Sequence, residues 1–176
     1  GFLDLFQATG DVDWLERAGS ILDVALAHFA ADDGGFFDTA DDAEVLVARP
    51  RDPSDNAYPS GLSSMVHALA TYAAITGSGR HRDAAEAGLA TVAQIAERAP
   101  RFAGWSLAAA RSMLDGPVEV AIVGEPGEER DALEQVARRD PNAVVVVADE
   151  PCDDVPLLVG RDEIDGRPAA YVCRNL

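Results

Sequence analysis

The segment from residue 49 to residue 61 carries the side chains best suited to chemistry. It contains two carboxylates, Asp52 and Asp55, followed by Asn56 and Tyr58, and it leads into a predicted helix. Carboxylates held in such a loop can bind hydroxyl groups or serve as a general acid or base. We therefore predict that Asp55 and Asp52 are catalytic and that Asn56 and Tyr58 bind substrate.

The same loop also fits a purely structural role. Asp55 and Ser60 stand just before a helix, where side-chain oxygens accept hydrogen bonds from free backbone N–H groups. Capping alone accounts for these residue types, so the sequence leaves both interpretations open. A loop of this length, with three prolines, is also the kind of segment that carries function in compact domains.

A second candidate site is the run Phe36, Phe37 and Asp38. Aromatic rings beside a carboxylate suit stacking on a sugar, so these three residues are predicted to bind substrate. The alternative is a small β-hairpin whose phenylalanine side chains enter the core.

Metal and cofactor sites are not expected. The aspartate pairs at 32–33 and 41–42 offer ligands for a hard cation, but their spacing does not match a calcium-binding loop. The three histidines are scattered and show no zinc-binding spacing. The turn Gly124–Gly127 lacks a dinucleotide-binding pattern, and its neighbouring glutamates would repel phosphate. A nucleotide-binding βαβ module is therefore the weakest interpretation.

The charge of the chain limits its partners. With 31 acidic and 14 basic side chains, the net charge is −17, which repels nucleic acid and anionic membrane surfaces. The longest apolar run, residues 143–148, is far too short to span a bilayer. Only two cysteines are present, in no paired motif, which favours a reducing, cytoplasmic setting. We expect neither a nucleic-acid nor a membrane partner.

Two zones follow one another along the chain. Up to residue 115, apolar residues recur at helical spacing and predict five helices with ends near 9, 31, 76, 98 and 114. The predicted buried stripe of the second helix comprises Trp14, Ala18, Ile21, Ala25 and Phe29. In the fifth helix, Trp105, Leu107 and Leu114 are predicted to be mostly buried.

Residues 116–176 form the second zone. Two Val-rich strands, at 118–123 and 143–148, flank an amphipathic helix over 128–139 and predict a βαβ unit with parallel strands. Two shorter strands are predicted at 156–160 and 168–174. The fold class is therefore mainly α, with helical hairpins over 1–115 and a small α/β module over 116–176.

Several segments, taken together in their order and spacing, resemble the C-terminal region of a family of thioredoxin-domain-containing proteins. The segments are GGFFDTADD at 34–42, RPRD at 49–52, DNAYPSG at 55–61, VAIVG at 120–124 and GRPAAYVCRN at 166–175. The family has bacterial members and an animal relative.

The resemblance implies an α/α toroid, similar to six-hairpin glycosidases and N-acylglucosamine 2-epimerases, preceded by a thioredoxin-like domain. In such a toroid, loops like 49–61 rim the central cavity. This chain has no initiating Met and enters directly into a helical pattern, so we expect the last hairpins of a longer protein. It departs from the family in lacking the thioredoxin-like domain and most of the toroid, and in ending shortly after the YVCRN segment.

Two functions remain in competition at this point. One is a non-catalytic segment, with no complete catalytic machinery of its own, that serves the missing thioredoxin-like domain. The other is a carbohydrate-active domain, of epimerase or glycosidase type, that binds a small sugar through the acidic residues of the 49–61 loop.

Overall fold

The computed structural model describes residues 1–44 and 47–174. Roughly half of these residues are helical, and a three-stranded mixed sheet follows the helices. This confirms the prediction of a mainly α protein with a small α/β module, whereas the toroid stays a prediction. No helix in the described ranges combines the length and apolarity needed to cross a membrane.

The helices and strands are numbered in chain order. The helices are α1 (Phe2–Thr9), α2 (Val12–His28), α3 (Gly61–Thr76), α4 (Gly79–Ala90), α5 (Ala93–Arg98), α6 (Gly104–Asp115) and α7 (Glu128–Ala137). The strands are β1 (Val118–Val123), β2 (Ala143–Ala148) and β3 (Ala169–Arg174). Short 3₁₀ turns occupy Pro100–Phe102 and Pro156–Leu158.

These elements form two compact units. The sheet unit comprises Gly1–Ala18, Thr71–Ser78 and Gly116–Leu176. The helical unit comprises Gly19–Ala70 and Gly79–Asp115. Two of the helices, α2 and α3, therefore contribute residues to both units. The domain division at 115/116 stays a prediction.

The sheet has the order β2-β1-β3, with β1 in the centre. Strands β1 and β2 pair in parallel, with Val118 opposite Ala143, and α7 connects them. The predicted βαβ unit is therefore confirmed. Strand β3 pairs antiparallel with β1 and makes the sheet mixed. The strand predicted at 156–160 is wrong: Pro156 has no N–H for a sheet ladder and begins a 3₁₀ turn instead.

Helix α7 covers one face of the sheet. Val120, Ile122 and Val145 are buried there against Leu133 and Ala137 of α7. Burying these side chains stabilises the unit by about 1.5–3 kcal/mol for each fully buried Val or Ile.

Helix α1 packs against β2 through a polar contact. The Gln7 side-chain oxygen accepts a hydrogen bond from the Val145 N–H at 3.1 Å, and the Gln7 carbonyl accepts one from Arg138 at 2.6 Å. β2 lies at the edge of the sheet, with β1 as its one neighbouring strand, and the side chain of Gln7 thus bonds a backbone donor of this edge strand.

The buried stripe of α2 differs from the predicted one. The stripe comprises Leu15, Ala18, Leu22 and Ala25. Ile21, which was predicted to be buried, is 54% exposed, and Trp14 stacks on Phe2 with ring centroids 5.5 Å apart. Adjacent helical residues lie roughly 100° apart, so both stripes satisfy the same spacing and the sequence alone did not separate them.

The predicted fourth helix is divided into α4 and α5. The Thr91 hydroxyl donates a hydrogen bond to the Gly88 carbonyl oxygen at 2.7 Å, and the Thr91 backbone N–H donates to the same oxygen. This local bonding ends α4 before Val92. Within the helical unit, Gly88 lets α4 approach α3 closely, because a Cβ atom there would lie 2.9 Å from a Val66 methyl group.

The small β-hairpin considered for the Phe36 segment is reduced, among the described residues, to a β-bridge between Phe36 and Ala30. The second strand of such a hairpin, predicted at 44–47, includes Val45 and Leu46, which lie outside the described residues.

Gly10 provides a test of the packing between α1 and β2. Its φ is +69°, and a Cβ atom would lie 2.6 Å from the Val147 carbonyl oxygen. Gly160 has a similar φ of +66° but open space around it. We expect Gly160→Ala to lower the free energy of unfolding by about 1 kcal/mol, from backbone strain alone. Gly10→Ala should cost at least about 1 kcal/mol more, because the contact adds to the strain.

Urea unfolding of both variants beside the wild type measures the difference. Equal losses in the two variants would show that the close approach of Gly10 to β2 does not constrain the fold.

Candidate functional site

Asp55 lies at the centre of the candidate site and is only 1% exposed. Its Oδ1 accepts hydrogen bonds from the Ser60 N–H at 3.0 Å and from the Ser63 hydroxyl at 2.6 Å. Its Oδ2 accepts bonds from the Trp105 N–H at 2.9 Å and the Ser106 N–H at 3.1 Å. A carboxylate offers about four acceptor positions, and four donors use them here.

The donors come from the first turns of two helices. Ser60 caps α3, since its Oγ accepts the Ser63 N–H at 3.1 Å, and Trp105 and Ser106 open α6. The first N–H groups of a helix have no partner within the helix and carry a partial positive charge. One buried carboxylate therefore accepts backbone N–H bonds at two helix N-termini, from Ser60 at α3 and from Trp105 and Ser106 at α6.

The loop itself is held by the backbone of the same residue. The Asp55 N–H donates to the Phe102 carbonyl oxygen at 2.7 Å. Asp55 thus joins the loop, α3 and the start of α6 within the helical unit. In the structure, Ser60 caps α3 and Asp55 bonds the N-terminal ends of α3 and α6. Ser63, Trp105 and Ser106, which donate hydrogen bonds to Asp55, were not identified from the sequence.

The environment of Asp55 sets its charge. Burial on its own would raise the pKa of the carboxyl group, but hydrogen bonds from Ser60, Ser63 and Ser106 outweigh burial and hold the pKa below its usual value. Asp55 is therefore an ionised acceptor at neutral pH, which does not suit a general acid.

The arrangement around Asp55 explains a second departure from the sequence prediction. Trp105, Leu107 and Leu114 were predicted to be mostly buried but are 53%, 42% and 87% exposed. Ser106 and Ala109 face inward instead. The bond from the Ser106 N–H to Asp55 holds the first turn of α6 in this rotation, and a hydrogen bond to a charged acceptor contributes about 1.5–3 kcal/mol.

Asp52 and Asp38 are brought together although they come from separate predicted sites. The Asp52 N–H donates to Asp38 Oδ2 at 3.1 Å, and Asp52 Oδ1 accepts the Ser54 N–H at 2.9 Å. The Asp38 N–H donates to the Pro50 carbonyl oxygen at 2.9 Å. Both carboxylates are exposed, so this part of the surface is open to a ligand.

The remaining predicted residues divide between surface and interior. Asn56 and Tyr58 are exposed, and Tyr58 presents 75% of its area. Phe36 is 6% exposed and lies in the core, as the hairpin alternative described. Phe37 is half-buried, with the Arg49 guanidinium 4.0 Å from its ring centroid. Of these three aromatic rings, Tyr58 is the one with an open face.

His28 was not selected from the sequence. Its Nδ1 lies 2.7 Å from Asp41 Oδ1 and 3.7 Å from Asp42 Oδ2. The hydrogen bond to Asp41, together with the charge of Asp42, raises the pKa of His28. His28 and Asp41 are thirteen positions apart, a spacing that matches no short motif, so no sequence signal joined them.

Comparison with known proteins indicates a distant relation to a much longer class of protein. No family model matches the chain. The chain is similar over 99% of its length to animal proteins of which it spans about a quarter. These relatives are spermatogenesis-associated protein 20 of Rattus norvegicus, 26% identical over 185 residues and 23% of that protein, and of Homo sapiens, 27% identical over 185 residues and 24% of that protein. The similarity supports the relation to thioredoxin-domain-containing proteins that the sequence motifs indicated.

Replacing the buried carboxylate should strongly destabilise the helical unit. In Asp55→Ala, four donors lose their acceptor, and we expect the free energy of unfolding to fall by about 3 kcal/mol or more. Asp52→Ala is the matched control, because Asp52 is exposed and, among the described residues, its side chain bonds the Ser54 N–H within its own turn. The free energy of unfolding of Asp52→Ala should fall by no more than about 1 kcal/mol. Urea unfolding that gives similar losses for both variants would contradict the central role of Asp55.

The same carboxylate should make stability depend on pH. The pKa of Asp55 is lower in the folded chain than in the unfolded chain. Its contribution is therefore present above the unfolded pKa, near about 4, and is lost as the pH falls through the folded pKa. We expect the stability difference between wild type and Asp55→Asn to narrow as the pH falls below about 4. Urea unfolding at a series of pH values measures it, and a difference that stays constant would argue against an ionised Asp55.

Proposed function

We propose that this chain is a non-catalytic structural segment of a longer thioredoxin-domain-containing protein. One observation carries the proposal: the best candidate for catalysis, Asp55, is buried and uses both carboxylate oxygens to hold two helix N-termini. A general acid or base needs a lone pair or a proton that a substrate can reach. Asp55 offers neither while its four hydrogen bonds are intact.

The length of the relatives supports the proposal of a longer protein. The chain corresponds to 23–24% of each, and the segment resemblance implies an α/α toroid and a thioredoxin-like domain for the remainder. In this proposal, the helical hairpins of the chain complete the toroid and serve that domain. In the same proposal the protein works in a reducing, cytoplasmic setting, where Cys152 and Cys173 stay as free thiols.

A carbohydrate-binding function is the second candidate, and one arrangement favours it. Asp38 and Asp52 are in contact and exposed, and Tyr58 on the same loop as Asp52 exposes three quarters of its area. Carboxylates can accept hydrogen bonds from sugar hydroxyls, and an open aromatic ring can stack on a sugar face. In this function, Asp55 fixes the loop and Asn56 adds an amide to the binding surface.

Thermal-shift measurements with a panel of mono- and disaccharides separate the two functions. A ligand that binds the native state raises the melting temperature by mass action. The structural proposal predicts no sugar-dependent shift for the wild-type chain or for the full-length protein that contains it.

A shift that Asp52→Asn or Tyr58→Ala abolishes would overturn the structural proposal and support the carbohydrate site. The control is Asp32→Asn, which removes one exposed carboxylate outside the loop. Because these side chains are exposed, the variants should keep the wild-type melting temperature in the absence of sugar.

A further inference from the structure

Three ligand atoms converge at the end of α2. His28 is the last residue of that helix, and Asp41 and Asp42 lie in a turn that returns to it. The distances from His28 Nδ1 are 2.7 Å to Asp41 Oδ1 and 3.7 Å to Asp42 Oδ2. All three atoms lie within 4.8 Å of one another.

The backbone around these atoms is fixed by bonds that do not involve them. The Asp41 N–H donates to the His28 carbonyl oxygen at 3.0 Å. The Arg49 guanidinium donates to the carbonyl oxygens of His28 at 2.9 Å and Thr39 at 2.5 Å. The turn is therefore tied to the helix end on its backbone side, and the three side chains need little reorganisation to meet a ligand.

We propose that His28, Asp41 and Asp42 bind one divalent transition-metal ion, with Zn²⁺ as the best match. Imidazole nitrogen and carboxylate oxygen are both zinc ligands, and tetrahedral bonds of about 2.1 Å place ligand atoms about 3.4 Å apart. The measured separations of 2.7 and 3.7 Å lie on either side of that value. Small side-chain rotations, well within the freedom of exposed aspartates, bring all three atoms to bonding distance.

The composition of the group selects the kind of ion. Calcium requires six to eight oxygen ligands, and magnesium keeps a nearly complete octahedron of oxygens, so a nitrogen donor with two carboxylates disfavours both. Neutral imidazole and two carboxylates supply a charge of −2 against the +2 of the ion. Three protein ligands leave the fourth position to water, since Asp41 and Asp42 are both exposed to solvent.

The aspartate pair at 32–33 shows what distinguishes this group from an ordinary acidic surface. Asp33 is bonded to the Arg51 guanidinium at 2.7 Å and to the Gly35 N–H. An arginine already bonds that carboxylate. Asp41 and Asp42 instead meet an imidazole, which becomes a metal ligand once its proton is lost, and the nearby Arg49 guanidinium donates to backbone carbonyl oxygens of His28 and Thr39.

Calorimetric titration of the wild-type chain with Zn²⁺ tests the site. We expect one ion to bind per chain, and His28→Ala and Asp41→Asn to weaken binding by at least about tenfold, since even the loss of an outer partner of a metal ligand costs that much. The matched control is His67→Ala on α3, which removes another exposed histidine and should leave binding unchanged. Calcium titrated into the wild type should bind more weakly than Zn²⁺.

Asp42→Asn is a further variant that keeps the His28–Asp41 hydrogen bond and should also weaken binding. Circular dichroism establishes that each variant is folded before titration. The proposal is overturned if the wild type binds no Zn²⁺, or if His28→Ala or Asp42→Asn binds as tightly as the wild type, because the ion would then be held by acidic surface groups in general.

Discussion

The helical unit depends on one buried carboxylate that accepts hydrogen bonds from two helix N-termini. Asp55 accepts bonds from the N-terminal ends of both α3 and α6, and its own N–H holds the turn before α6. A buried charge is unfavourable unless it is fully bonded, so the arrangement tolerates little change. The orientation of α6, and with it the exposure of Trp105, follows from this contact.

The sequence predicted elements better than it predicted orientation. Helical spacing and Val-rich runs were enough to place α1, α2, α3, α7 and the βαβ unit, because periodicity records burial directly. Periodicity does not show which of two neighbouring stripes of side chains on a helix is the buried one. In α2 and α6 the rotation was set by contacts with distant residues, such as Phe2 on Trp14 and Asp55 on Ser106. Two local effects were also missed: the Thr91 hydroxyl ended α4, and Pro156 prevented a strand.

The candidate site shows the same division between local and distant information. Residue type and position were enough to identify Asp55 and Ser60, and to predict helix capping as one of two roles for them. It did not reveal that the N–H groups of Trp105 and Ser106, fifty residues away, would use the second oxygen of Asp55. Nor did it join Asp38 to Asp52, or His28 to Asp41, because those contacts form only when the turn after α2 folds back. Residue type alone predicted that both Tyr58 and Phe36 bind substrate, but Tyr58 is exposed in the structure and Phe36 is buried.

The sheet unit has a consequence for how the protein is made. Its residues come from three stretches of chain: 1–18, 71–78 and 116–176. The glutamine of α1 that satisfies a β2 donor is therefore synthesised about 140 residues before its partner, Val145. At roughly 10 residues per second, the first helix waits on the order of ten seconds on the ribosome for the strand it contacts. During that time β2 has not been synthesised, and the side of α1 that packs on it stays uncovered.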